Sequence, residues 1–326
     1  MPMTLQQIHY ALTVADTGSI NKAAEKLMIS QPSLTGAVKE LERHAGVPIF
    51  LRTSKGVSTT GEGAEFLAYA RQVYQQYELL LEKYGGAGEA RRKFAVSTQH
   101  YSFAVKAFVE TVKKFDTRNY EFAIRETRTY DVIQDVGTFR SEIGILYLSG
   151  YNKKIVGKLL HDSELAFRHL IDCYAHVYLW KGHPLAGEKS IRFEQLEDYP
   201  CLSFEQGDKA AFCLAEEILS ENRYPRVIKA SDRATMLNLM VGLNGYTLCS
   251  GIICSELNGE GYAAIPFEPD EENQGGVMEI GYIQKKYGRL SEIGEIYLSE
   301  IKRYLGISDS TIGVHLQPSS AGFPTT

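Results

Sequence analysis

The chain has 326 residues, 44% of them hydrophobic and 23% charged, with a formal net charge of −5. That composition supports a real core divided over two or three domains, and with no run of 18 or more apolar residues it excludes a membrane-spanning helix. The start, MPMTLQQIHYALTVADTGS, lacks the basic and apolar pair of a secretory signal, and five scattered cysteines (Cys173, Cys201, Cys213, Cys249, Cys254) suit reduced thiols in a cytoplasm rather than a disulfide frame.

Net acidity argues against nucleic acid until its distribution is read. Residues 1–60 hold six Lys/Arg against four Asp/Glu, a net of +2 that leaves −7 for the remainder. Thr4 and Gln7 have the spacing of a capping box, and Leu5, Ile8, Leu12 and Ala15 follow at helical spacing. Gly18-Ser19 breaks this helix, and Ser19 caps a second one with a small apolar face of Ala23, Ala24 and Leu27. After the short turn Met28-Ile29, Ser30 caps a third helix whose first turn takes Pro32, where a missing N–H costs nothing.

On a helical wheel Leu34, Val38 and Leu41 form the buried stripe of this third helix. The opposite arc holds Pro32, Gly36, Lys39 and Arg43, flanked by Gln31 and Thr35 on one side and Ser33 on the other. A Gly in mid-helix sacrifices ~1 kcal/mol relative to Ala, and on the exposed face it lets a partner's surface reach the backbone. The pattern fits a helix-turn-helix, with Gln31, Ser33 and Thr35 for base edges and Lys39 and Arg43 for phosphates. It also fits an αα-hairpin whose outer face is merely solvated. GVPIFLRTSKGVSTT then reads as strand, turn, strand, a wing with Arg52 and Lys55 at its tip.

The stretch AAEKLMISQPSLTGAVKELERHAGVPIFLRTSKGVSTTGEG resembles the winged helix-turn-helix of LysR-type transcriptional regulators. The resemblance rests on Ala23-Ala24, Leu27, Ser30-Gln31-Pro32, Leu34-Thr35, Leu41-Glu42, Gly46-Val47-Pro48-Ile49-Phe50, Arg52 and Thr60, about sixty residues in register. It implies DNA contacts from Ser30, Gln31, Pro32, Ser33, Thr35, Gly36, Lys39, Arg43, Arg52 and Lys55. Gly36 departs from the Arg or Lys that many members carry, and Gly61-Glu62-Gly63 replaces a better helix start, so fraying is expected there.

Residues 61–90 read as a linker helix and hinge. Phe66, Ala70, Val73, Tyr77, Leu80 and Tyr84 make a heptad-like seam, and Gly85-Gly86-Ala87-Gly88 ends it. The pattern suits either an amphipathic helix packed on its own domain or a pairing helix. The resemblance implies the second: a homodimer or homotetramer presenting two recognition helices to an inverted-repeat site on double-stranded DNA.

Beyond Arg91 strands and helices alternate. Strands are expected at 94–96, 121–125, 143–148, 201–204, 227–230 and 246–249, and helices from Ser97 to Val109, from about Tyr130, at 210–219 and at 234–241. The expected fold class is α/β with mostly parallel sheets. The resemblance implies two subdomains like type 2 periplasmic binding proteins, one from residues 91–160 plus 267–305 and the other from 161–266, with crossings near His161 and Pro266. Residues 306–326 read as a loose tail.

Ligands of such sheets bind at the C-terminal ends of strands. The candidates are Ser97 and Thr98 at a helix N-terminus, Thr127 and Thr129 after the second strand, and Ser203, Phe204 and Glu205 across the cleft. The first effector class to consider is a small carboxylate, although Glu205 speaks against a strongly anionic one; Ser97 and Thr127 also read as ordinary caps. His169, Cys173 and His176 lack a fourth metal ligand, and Cys201 and Cys213 lack a thiolate-stabilising neighbour in the sequence. No cofactor, metal or catalytic motif is expected. Two other classes share parts of this pattern: a solute-binding or enzymatic α/β domain with an incidental helical N-terminus, and a pure dimerisation module.

Overall fold

In the computed structural model, residues 3–53, 56–84, 92–115, 120–207, 213–269 and 276–307 are described. The chain forms two compact units, residues 1–90 and 91–326.

The first unit begins with α1 (Leu5–Thr17), α2 (Ile20–Lys26) and α3 (Gln31–Ala45). Thr4 caps α1 in a complete capping box with Gln7, Ser19 accepts the Lys22 N–H, and Ser30 accepts the Ser33 N–H. Each sequence-read cap thus satisfies a donor that the helix itself cannot. β1 (Phe50–Thr53) and β2 (Gly56–Thr59) pair antiparallel as a wing. The Val57 N–H donates to the Gly18 carbonyl at 3.0 Å, fixing the wing on the turn between α1 and α2.

The helix α4 (Gly61–Tyr84) begins at the first glycine of Gly61-Glu62-Gly63. The Thr60 hydroxyl accepts the Gly63 N–H at 2.7 Å and donates to the Pro48 carbonyl at 2.6 Å. Gly63 has a positive reason to be glycine: a Cβ there would lie 2.1 Å from the Ile49 carbonyl oxygen. Close backbone approach outweighs the low helix propensity of this start.

The second unit holds two sheets. The first has the order β4-β3-β5-β12-β6, from β3 (Arg92–Thr98), β4 (Tyr120–Glu126), β5 (Ile143–Leu148), β6 (Leu165–Tyr174) and β12 (Val277–Lys285). Every residue of β5 is buried, but its side chains alternate between two cores. Ile143, Ile145 and Tyr147 join the cluster with α5 (Ser102–Lys113) and α10 (Glu292–Leu305), while Leu146 and Leu148 join that of α6 (Thr129–Gly137) and α7 (Lys153–Asp162). Helices therefore cover both faces. The other sheet runs β10-β7-β11, from β7 (His176–Trp180), β10 (Thr247–Cys249) and β11 (Tyr262–Pro266). A Cys201–Tyr246 bridge joins it to the parallel pair β8 (Cys201–Phe204) and β9 (Val227–Ala230). α8 (Arg233–Leu243) packs Met236 and Met240 on this sheet, and α9 (Ser255–Asn258) is a single turn.

Several expectations differ from the fold. The sheets are mixed rather than mostly parallel, because β12 runs antiparallel to both β5 and β6, and β7 to both β10 and β11. β6 still belongs to the first sheet, so the chain leaves that sheet after Tyr174, one strand later than residue 161. The helix expected at 210–219 is absent over its described part, where residues 213–221 form turns and bends. The hinge glycines 85–88, Lys55 and residues 308–326 of the tail lie outside the described residues, as does the side chain of Arg52.

Candidate functional site

The outer face of α3 is built by what holds its inner face. Leu34, Val38 and Leu41 are buried, whereas Gln31, Pro32, Ser33, Gly36, Lys39 and Arg43 are exposed and Thr35 is half-buried. Ser30 is committed to its cap and to the Ser33 hydroxyl, 2.7 Å away. Gln31 Nε2 donates to Thr35 Oγ1 at 3.0 Å, which orders two polar side chains on one surface. A Cβ on Gly36 would meet nothing within 4 Å, so its lack of a side chain answers no internal packing demand. Glu42, part of the Leu-Glu pair, accepts the N–H groups of Ile49 and Phe50, both at 2.9 Å, and so ties the wing to α3.

A second candidate site lies between the two sheets of the second unit, in a cavity of about 70 Å³. His100, Phe204, Glu216, Glu217, Arg233 and Thr247 line it, with Met236, Met240, Leu248 and Met278 among the apolar walls. The His100 N–H and its Nδ1 both lie 2.8 Å from Glu216 Oε2, and its ring stacks on Phe204 with centroids 3.7 Å apart. Arg233 Nη2 bonds Glu126, and its Nη1 donates to Asn258 Oδ1 at 3.2 Å. Glu217 Oε1 accepts the Phe204 N–H at 2.7 Å. Burial pushes the Glu217 carboxyl up to about 8, with Glu216 beside it adding to the effect.

Of the seven residues expected at this site, only Phe204 lines the cavity. Ser97 and Thr98 lie in β3, which runs past the expected turn, and they do not cap α5. The Ser97 hydroxyl donates to Asp135 at 2.6 Å and meets Ser141, while that of Thr98 donates to the Gln99 carbonyl. Both side chains are fully buried, so the expected anion-binding helix terminus is not formed by them. Thr129 is a buried connector: its hydroxyl accepts from Gln99 at 2.6 Å and donates to the Leu214 carbonyl at 2.8 Å. The Thr127 N–H pairs with the Thr98 carbonyl, Ser203 sits within β8, and Glu205 is exposed, 3.8 Å from Arg128.

His100, Glu216, Glu217, Arg233 and Thr247 are not among the residues expected from the sequence. The polar run Gln99-His100 behind a strand is a usable signal, but β3 runs to Thr98, two residues past the expected end. Glu216 and Glu217 fall within the helix expected at 210–219, whose described part forms turns and bends.

The other chemistry-bearing side chains do not converge. His169 bonds Asp172 at 2.6 Å, His176 lies 2.9 Å from the Tyr174 carbonyl, and Cys173 is buried in the core. Burial raises the thiols of Cys173, Cys201 and Cys249 to about 12, which disfavours the reactive thiolate.

A family model described as the bacterial regulatory helix-turn-helix protein, lysR family, matches residues 5–64, and one described as the LysR substrate binding domain matches residues 97–278. The chain belongs to the LysR family. It is a DNA-binding transcriptional regulator with an effector-binding domain, and the two matches fall on the two sites just described. It is 26% identical over 253 residues to the Hca operon transcriptional activator HcaR of Escherichia coli (strain K12), covering 76% of this chain and 82% of that one. To the transcriptional activator CmpR of Synechocystis sp. it is 26% identical over 236 residues, 68% of this chain and 69% of that one. Among solved structures, a full-length OxyR variant from Pseudomonas aeruginosa superposes with a TM-score of 0.64 at 18% identity, covering 93% of this chain and 95% of that one; this likeness is one of fold. Among the described residues no helix of this LysR regulator is long and apolar enough to cross a membrane.

Proposed function

We propose that this LysR regulator reads an inverted-repeat DNA site through the outer face of α3 and is switched by a small molecule held between the sheets of its second unit. The carrying observation is the polar face of α3: it is exposed, ordered by the Gln31–Thr35 bond, and held by a buried stripe and a Glu42-anchored wing. Gln31, Ser33 and Thr35 suit base edges, and Lys39, Arg43, Arg52 and Lys55 suit phosphates. The open space over Gly36 suits close approach of the groove wall.

On this reading the protein acts in the cytoplasm as a homodimer or homotetramer and senses its ligand without transforming it. Tyr69, Val73 and Leu80 of α4 are exposed large apolar side chains that support pairing through this helix. A ligand favouring one closure of the two sheets shifts the population of that state, and with it the spacing of the recognition helices. A small carboxylate has Arg233 as its cation in the cavity, but it has to compete there with Glu126 and Asn258.

A gel-shift of the full chain on the DNA upstream of its own coding region tests the reading. Binding that weakens steeply with added salt is expected. Absence of binding at low salt overturns it.

A further inference from the structure

Among the described residues four buried side-chain polar atoms have no hydrogen-bond partner, and two of them, Glu217 Oε2 and Thr247 Oγ1, belong to residues lining the cavity between the sheets. Glu217 is 6% exposed and Thr247 7%. Buried polar atoms are almost always paired, because their lost hydration has to be replaced.

The charges of the lining point the same way. Glu216 and Glu217 are adjacent, and both are more than nine-tenths buried. Glu216 is served by His100 and by Gln206 Nε2 at 2.9 Å. Arg233 is already bonded to Glu126 and Asn258. Glu217 has no ion pair among the described residues, and the remaining walls are largely apolar.

We propose that the effector is a small organic cation, a protonated amine that donates N–H groups to Glu217 Oε2 and Thr247 Oγ1 and lays a short apolar body against Met236, Met240, Leu248 and Met278. This rests on the cavity being the effector site. Since burial holds the Glu217 carboxyl up to about 8, the ligand-free protein keeps a proton there at neutral pH. An ammonium favours the carboxylate form, so binding releases that proton to the buffer. The titratable groups around Glu217 are Glu216, His100 bonded to it, Cys201 of β8, and Tyr101, Tyr147 and Tyr224. Burial keeps the thiol and the three phenols protonated in this range, so none of these four yields the proton.

The test is calorimetry and thermal shift on the full chain at neutral pH with butylamine and 2-phenylethylamine, against butanoate, phenylacetate and butanamide. Either amine is expected to raise the melting temperature and to bind with net proton release, read as a heat that differs between phosphate and MOPS buffers. Glu217→Gln should weaken amine binding about tenfold or more. Thr247→Val should weaken it by a smaller factor, and because it alters no charge it serves as the second variant if Glu217→Gln does not fold. Preference for the carboxylates, binding of neither amine, or amine binding unchanged in the folded variants overturns the proposal. Amine binding that leaves the gel-shift unaltered supports the amine site and overturns the effector reading beneath it.

Discussion

His100 lies flat on Phe204, ring centroids 3.7 Å apart and planes 6° from parallel. His100 follows β3 of the first sheet, and Phe204 ends β8 beside the second, so the stack pins one sheet to the other at the cavity. The same histidine contacts Glu216 through its N–H and its ring, and Gln206 reaches that carboxylate from the other side. His100→Ala should remove the stack and one donor to a buried carboxylate. A loss of ~1–3 kcal/mol in urea denaturation is expected, with operator binding retained in gel-shift, since α3 is untouched.

Two glycines of the first unit should respond in opposite ways. Gly36→Leu has open space and removes a helix-weakening residue, so stability should rise by up to ~1 kcal/mol. Its added side chain stands where the groove wall is proposed to lie, so operator affinity should fall. Gly63→Ala drives a Cβ into the Ile49 carbonyl and should lower the melting temperature of the first unit. Unimpaired operator binding by Gly36→Leu would place Gly36 away from the DNA.

Glu42→Ala leaves the Ile49 and Phe50 N–H groups without their acceptor. Unfolding should cost ~1–3 kcal/mol less than in the wild type. Amide exchange at Ile49 and Phe50 should speed up relative to that in α1.

Glu217 makes stability depend on pH in a fixed direction. Its folded carboxyl keeps a proton up to about 8, against about 4.3 for an unfolded glutamate. Between those values the native state binds the extra proton, so this group's contribution to stability is lost as pH rises from about 5 to about 8. Glu217→Gln cannot titrate. Its melting temperature relative to wild type should therefore climb over that interval, and a constant difference would show that Glu217 does not titrate there.

In α4, Val73→Glu combined with Leu80→Glu puts charge on two exposed apolar positions. Sedimentation velocity should then show the assembly shifting toward monomer, while the helical signal in circular dichroism stays unchanged. Phe66 and Ala70 should tolerate no such change, because they pack against the core formed with Ala11, Leu12 and Ile49.

The DNA-binding unit is legible from local sequence signals. Thr4, Ser19 and Ser30 cap within three residues of the N–H groups they satisfy, and the 3.6-residue period of Leu34, Val38 and Leu41 sets which face of α3 is buried and which is free. β5 was legible for a related reason, since six consecutive residues flanked by strand-breaking chemistry admit few alternatives. The cavity between the sheets of the second unit depends on contacts far apart in the chain. β3 runs two residues beyond its apolar core, so Ser97 and Thr98 turn inward to Asp135, Ser141 and Gln99, and His100 takes the place at the site. Glu216 and Glu217 bear carboxyl groups, yet both are buried, in turns and bends whose Ala215 and Glu217 carbonyls accept from the distant Tyr147 hydroxyl. Contacts such as His100–Glu216 span over a hundred residues of chain, and no periodicity within either segment encodes the partner that only the closed fold brings near.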